Sequence, residues 1–525
     1  MPYKDDTARR LANRERQRRY RERKKAEAAR AVVVPDPPAD PVGELVAWAA
    51  DKLVVPPGHP LSGQPMALPE FAVEFLRAGW DAHESGLSVS RKNAKSAICA
   101  VLALGHLAGP LKTPGWRGAV ASVSKEKASE LRAQVAAIAK ASGVPVTVRA
   151  SPYPGRVLTD TGSLEVLSSD RTAGHSSSFD LVIVDETGLM PERARELLAG
   201  LRSSVSAKNG RIIHISVRGD SPLFREVLDN PANLSRTYAA EPGCRLDDRK
   251  AWAAANPALG SIKSLEYMIA EVERVRGAPG DEPSFRAFDL NENLSPTREM
   301  ILSPDDLRAC FSDDPPPRSG PVFLGFDFGE ATSATACCGI WPQTGRLETW
   351  MAFGDNPGIA KRGRRDDADY RRMVERGELR LYPGRVVRIE DFLGDVAADL
   401  AGVRVQGAAA DSYKDAETQD VLERAGLRWP VDFRRVGAGK DGGRDVRAFQ
   451  RLVMQGKVSL KPNLSLVTAI SKSTLKRDSN GNPGLDKATG RGRIDILSAA
   501  VIAAGLSEPH IGKRPRRTWK YRGAA

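Results

Sequence analysis

Two adjacent carboxylates, Asp185 and Glu186, end the run Phe-Asp-Leu-Val-Ile-Val-Asp-Glu over residues 179–186. At the carboxyl end of a buried strand, one carboxylate can hold a metal-bound phosphate while its neighbour polarises an attacking water. About ninety residues earlier, Lys95 and Ser96 close the stretch Leu87-Ser-Val-Ser-Arg-Lys-Asn-Ala-Lys-Ser-Ala97 and open an apolar helical run over 98–107. In a strand, tight loop and helix of this kind, the backbone N–H groups of the loop and the helix N-terminus face phosphates. The lysine reaches the β/γ oxygens, and the hydroxyl meets Mg²⁺. The loop residues Ser90, Arg91, Lys92, Asn93 and Ala94 are therefore candidate nucleotide contacts with Lys95 and Ser96. A third set of groups, Asp327, Asp411 and Asp495, comprises single acids in otherwise apolar stretches far apart in the chain. Burying three lone carboxylates is costly unless they converge on a cation. Two Mg²⁺ or Mn²⁺ ions held in this way can stabilise the attacking and leaving oxygens of a phosphodiester.

The elements that must position these groups follow from periodicity. Residues 181–184 are apolar and mostly β-branched, which predicts a strand buried on both faces of a parallel sheet. Further strands are expected at Gly118-Ala-Val-Ala-Ser-Val-Ser124, followed by a helix over 125–139, and at Ser163-Leu-Glu-Val-Leu-Ser168. Arg211-Ile-Ile-His-Ile-Ser216 predicts another buried strand; it ends in Ser216, a hydroxyl placed to sense the γ-phosphate, and His214 within it reads as a core residue. Alternating strands and helices between about 45 and 240 mark a parallel α/β domain. The phosphate loop departs from G-x-x-x-x-G-K-[ST] at both glycines, where Val89 and Ala94 stand. Asp327 lies in an apolar strand over 322–329 with a hairpin partner over 332–340; Asp411 ends a strand, and Asp495 occupies the first turn of an apolar helix. The glycine-rich stretch 437–443 has no evident strand–helix frame and is expected to be a mobile loop that skirts DNA.

The net charge of +13 is concentrated at the ends. Residues 1–30 hold 12 Lys/Arg against 5 Asp/Glu, and 509–525 hold 6 Lys/Arg and no acid, while the chain between them is neutral. Two cationic arms on a neutral body point to a polyanionic partner. No apolar run is long enough to span a membrane, and the five scattered cysteines show neither a disulfide framework nor zinc spacing, as suits a reducing cytosol.

The ordered set Ser-Arg-Lys-Asn-Ala-Lys-Ser, Val-Ile-Val-Asp-Glu, Ile-Ile-His-Ile-Ser and Ala251-Trp-Ala-Ala-Ala-Asn-Pro-Ala-Leu-Gly260 resembles the large terminase subunit of tailed phages. That family's loop commonly reads Arg-Lys-x-Gly/Ala-Lys-Ser, which accommodates Ala94. The resemblance implies an N-terminal P-loop (ASCE-type) ATPase in which Lys95 and Ser96 bind ATP and Mg²⁺, Asp185 orients the metal and Glu186 activates water. It puts Ser216 in the motif that couples hydrolysis to movement. Arg171 becomes the candidate arginine acting on a neighbouring subunit's ATP. Phe71 stands for the aromatic of an adenine-side motif, with Ala72 replacing the usual Gln. The acids Asp327, Asp411 and Asp495 resemble those of the ribonuclease H-like nuclease that follows. Many relatives carry a further Asp six residues after the first, where this chain has Ser333; Glu330 and Asp415 are the alternative fourth ligands.

The resulting layout is a basic arm (1–33), a Pro-rich linker (34–44), an ATPase domain (45–255), a helical linker or lid (256–318), a nuclease domain (319–508) and a basic tail (509–525). The expected partners are double-stranded DNA, a small terminase subunit and the capsid portal, on which the chain would form a homo-oligomeric ring. The expected location is the host cytoplasm, with transient docking at the procapsid portal vertex. Two rivals share part of this pattern. A cellular helicase–nuclease would carry a second RecA-like half where the three acids stand. A non-enzymatic DNA-binding scaffold would fit Val89 and Ala94, but not the intact Lys95, Ser96, Asp185 and Glu186.

Overall fold

The computed structural model describes residues 38–512, apart from 152, 168–177, 330–331, 412–414, 435–436 and 487–492, together with 15, 18 and 19; the side chains of 411 and 415–418 are also outside the description. Arg171, Glu330 and most of both basic arms therefore lie outside the described residues. The chain forms two compact units: residues 1–86, 95–215 and 227–235 make one, and residues 87–94, 216–226 and 236–525 make the other.

An eight-stranded sheet contains β1 (Glu84–Ser88), β2 (Trp116–Ala121), β3 (Thr147–Arg149), β4 (Arg156–Leu158), β5 (Gly162–Val166), β6 (Leu181–Asp185), β7 (Arg211–Ser216) and β8 (Leu234–Thr237). Their spatial order is β3-β4-β5-β2-β6-β7-β1-β8. Strands β5, β2, β6 and β7 are mutually parallel, and β3 and β4 add an antiparallel edge. Leu181, Val182, Ile183 and Val184 are all buried, as an apolar β-branched run in a parallel sheet requires. Helices α1 (Lys95–Ala108) and α2 (Lys125–Ala141) follow β1 and β2, and α3 (Arg195–Ser206) precedes β7. The strand order sets β7 between β1, which leads into the phosphate loop, and β6, which ends in Asp185.

The second sheet holds β9 (Val322–Asp327), β10 (Thr335–Trp341), β11 (Arg346–Gly354), β12 (Arg380–Tyr382), β13 (Val405–Asp411) and β14 (Val431–Arg434) in the order β12-β11-β10-β9-β13-β14. β9, β10 and β11 form an antiparallel meander, while β13 runs parallel to both β9 and β14. Two helices, α4 (Lys440–Met454) and α5 (Asp495–Ser507), pack into one of the two hydrophobic clusters that flank this sheet. α5 is buried almost all round. It rests directly on β9: a Cβ on Gly325 would stand 2.1 Å from the Ala499 carbonyl oxygen and 2.6 Å from the Ala503 nitrogen.

The stretch 437–443 departs from the expected mobile loop. β14 precedes it, and α4 begins at Lys440, so Gly442 and Gly443 are buried in the first helical turn. Glycine is a poor helix former, but packing overrides propensity here. A Cβ on Gly443 would lie 3.1 Å from the Asn482 Cβ, so the missing side chain lets the helix sit close against 482–483.

Candidate functional site

The phosphate loop is held by contacts from far along the chain. Val89 N–H donates to the Ser216 carbonyl at 3.0 Å, and Arg91 N–H donates to that of Phe288 at 2.7 Å. Asn93 is fully buried; its Nδ2 donates to Ser90 Oγ at 2.8 Å and to Asn256 Oδ1 at 3.0 Å, while its Oδ1 accepts from Ala258 N–H at 3.0 Å. Ser90 Oγ also donates to Asn256 Oδ1. Asn256 is fixed in turn by Lys263, whose ammonium bridges Asn256 Oδ1 and Asp289 Oδ1 at 2.8 Å each. The Asn93 side chain thus holds the loop, and its backbone is the part left to meet a ligand. Arg91 lies over the Phe288 ring at 3.3 Å and Lys92 over the Tyr267 ring at 3.4 Å, so both cations rest on aromatic faces.

Lys92 and Ala94 have φ of 64° and 60°. This is the left-handed region, which costs roughly 1–2 kcal/mol for a residue bearing a Cβ. Ala94 stands at the second glycine position of the motif, and its conformation is the one that glycine usually supplies.

Lys95 is buried at the start of α1. Burial pushes Asp185 up to about 7; the charge of Glu186 adds to this and that of Lys95 opposes it. Glu186 has φ 57°, and its N–H donates to Asp185 Oδ1 and to the Ile215 carbonyl at 3.0 Å each. The next residue, Thr187, is fully buried and lies 3.1 Å from His214 Nδ1. His214 Nε2 is 2.9 Å from Glu84 Oε1, and Arg202 grips the same carboxylate at 2.8 Å. Burial lowers His214 against the pull of Glu84. Burial would raise Glu84, but hydrogen bonds from His214 and Arg202 outweigh it and hold the carboxyl at about 2. These two shifts compete for one proton. A neutral ring beside an ionised Glu84 is favoured, because His214 is 1% exposed and Arg202 already balances the carboxylate.

In the second sheet, register brings two of the predicted acids together. Ala410 pairs with Phe326 in parallel strands, so Asp327 and Asp411 follow at the adjacent carboxyl ends of β9 and β13. Asp495 starts α5, and its Oδ2 accepts the Ala334 N–H at 2.9 Å from the turn that joins β9 to β10. Asp327 and Asp495 are both buried. Ser333 receives Arg493 Nη1 at 3.3 Å, and the Arg493 Nε is 3.7 Å from Asp366 Oδ2. Asp415 lies in the helix Asp415–Arg424, with its side chain outside the description. Among the described residues no group of three His, Cys, Asp or Glu could hold a metal ion; Asp411, the third member of the predicted set, has its side chain outside them.

Sequence reasoning missed Asn256, Lys263, Asp289 and the Thr187–His214–Glu84 chain. Asn256-Pro257 did carry a signal, a helix stop inside a quoted motif, but nothing local tied it to the loop.

A parallel-sheet domain with a lysine-headed loop and an Asp-Glu strand end, followed by a sheet with paired acids, defines a two-domain ATPase–nuclease. The profile of the family "Terminase large subunit, endonuclease domain" matches residues 234–508, over half of the chain. The chain belongs to this family, the large subunit of the phage DNA-packaging motor, with ATPase and nuclease domains. It is 26% identical over 495 residues to the terminase large subunit of Enterobacteria phage HK97, covering 89% of this chain and 96% of that one. It is 20% identical over 204 residues to the terminase large subunit of Lactococcus phage p2, covering 38% and 37% of the two chains. The crystal structure of the HK97 large terminase matches with a TM-score of 0.42 at 23% identity, over 89% of this chain and 99% of that one. The helicase–nuclease and scaffold readings are not favoured.

Proposed function

We propose that ATP hydrolysis occurs at Lys95, Ser96, Asp185 and Glu186, and DNA cleavage at Asp327, Asp411 and Asp495. The observations that carry the first assignment are the partly buried Asp185 at the end of β6 with Glu186 beside it, the Lys95 charge drawing on Asp185, and the left-handed turn that holds Glu186. The loop 90–94 and Lys95 bind the phosphates, and Glu186 takes a proton from the attacking water. Ser96 and Asp185 are the hard oxygen donors suited to Mg²⁺, which when bound supplies positive charge to the phosphates. Ser216, at the end of the strand between β1 and β6, senses the γ-phosphate. In the nuclease, the carboxylates suit two Mg²⁺ or Mn²⁺ ions, whose chemistry is Lewis-acid stabilisation of the phosphodiester oxygens. The chain acts on double-stranded DNA with a small terminase subunit, as a homo-oligomeric ring on the capsid portal. It works in the host cytoplasm and docks transiently at the procapsid portal vertex. Arg171 serves the neighbouring subunit's ATP, and the basic arms contact DNA phosphates.

ATPase assays on the full chain test the central assignment. Lys95→Ala should abolish nucleotide binding or turnover, whereas Glu186→Gln should keep binding and lose hydrolysis. Wild-type turnover by Glu186→Gln would remove Glu186 from this role.

A further inference from the structure

Glu186 is held in a backbone conformation that its side chain disfavours, so something must fix the turn that carries it. The left-handed residue is followed at once by the short helical turn Thr187–Leu189. Thr187 is the first residue of that turn and is fully buried. Its hydroxyl has two neighbours, His214 Nδ1 at 3.1 Å and the Val184 carbonyl at 3.3 Å. A hydroxyl carries one proton, so it donates to only one of them.

The remainder of the chain decides which one. Glu84 is an acceptor, so the imidazole must present its Nε2–H to that carboxylate at 2.9 Å. A neutral ring then offers a bare Nδ1, and Thr187 donates to it. Glu84 is the first residue of β1, His214 belongs to β7, and Thr187 follows β6. Arg202 of α3 pins Glu84 with both Nε and Nη2. One hydrogen-bonded line therefore ties the turn after the Asp-Glu pair to two neighbouring strands and a helix.

We propose that His214 is a positioning residue for ATP hydrolysis, acting through the Thr187 hydroxyl to hold Glu186 in its left-handed turn. The inference rests on Glu186 being the water-activating group. His214 and Thr187 do not touch nucleotide in this assignment; they set where the Glu186 carboxylate stands. A general base displaced by an ångström loses rate without losing substrate affinity, by about 10²-fold in favourable cases.

The test is steady-state ATP turnover by the full chain carrying Thr187→Val, Thr187→Ser or His214→Gln, with a thermal melt of each. Valine keeps the shape of threonine and removes only the hydroxyl. Thr187→Val should lower kcat by roughly 10–100-fold while KM for ATP stays within about twofold. Thr187→Ser keeps the donor and should recover most of the turnover, and His214→Gln should resemble Thr187→Val. Wild-type kcat in both Thr187→Val and His214→Gln would overturn the proposal. So would equal losses in Thr187→Val and Thr187→Ser that track a lower melting temperature, since these would mark a packing role alone. Glu186→Gln run beside them keeps the two readings separate. If it hydrolyses ATP normally, the assignment of Glu186 has failed, whatever the Thr187 variants do.

Discussion

The two candidate sites are assembled in opposite ways. The ATPase groups come in contiguous blocks, 90–96 and 185–186, and their precision depends on backbone strain held by buried hydrogen bonds. Three residues in them, Lys92, Ala94 and Glu186, sit at positive φ. The nuclease acids arrive singly from positions 327, 411 and 495, and the backbone at Asp327 and Asp495 is regular strand and helix. There, precision comes from strand register and from a helix laid directly on β9. A site of the first kind should fail when a distant hydrogen bond is cut, and one of the second kind when a packing contact is filled.

The largest expected effect separates the two chemistries. Asp327→Asn or Asp495→Asn should abolish metal-dependent nicking of supercoiled plasmid and leave ATP turnover unchanged. Undiminished cleavage by Asp327→Asn would sink the nuclease assignment. The comparison sharpens with Gly325→Val, whose Cβ alone would stand 2.1 Å from the Ala499 oxygen. It should cost about 3 kcal/mol of stability, read from denaturant melts, and lower cleavage through displacement of Asp495. The corresponding lesion on the ATPase side is Asn256→Ala, which strips acceptors from Asn93, Ser90 and Lys263. Losing this shared buried acceptor should cost roughly 1–3 kcal/mol and raise the KM for ATP, with cleavage unaffected.

Acid–base behaviour gives a fourth prediction. Asp185 is raised to about 7 by burial, chiefly, and by Glu186, so the folded chain holds its proton more tightly than the unfolded chain does. The stability this gives is fully present below about pH 4 and is lost as pH rises through about 7. Thermal melts of metal-free protein between pH 5 and 8 should show that slope, and Asp185→Asn should flatten it. The smallest effect is expected for Ala94→Gly. Relief of the left-handed alanine offsets the greater freedom of glycine in the unfolded chain, so stability should move by less than about 1 kcal/mol and ATP turnover should persist.

Most of what lies along one strand or helix was legible from the sequence, because period and strand-end chemistry are local. β6 with its Asp-Glu end, β7 with Ser216, and the strands and helix bearing Asp327, Asp411 and Asp495 all follow from that logic. What escaped depends on pairs more than a hundred residues apart. Asn93 with Asn256, Glu84 with His214, and Arg493 with Ser333 leave no periodic trace in either segment. The stretch 437–443 misled in a related way: its glycines signal looseness locally, yet Gly443 serves a close contact with 482–483.

The anchors of the phosphate loop also have a consequence for synthesis of the protein. Ser88 to Asn93 depend on Asn256, Ala258, Phe288 and Asn291, all of which leave the ribosome long after the loop itself. A nascent chain that has reached residue 240 contains Lys95, Ser96, Asp185, Glu186 and Ser216 and none of these four anchors. Its loop keeps the Val89–Ser216 contact but lacks the hydrogen bonds that Asn256, Ala258, Phe288 and Asn291 supply. Arrested chains released at 240 should therefore bind ATP more weakly than those released past 291.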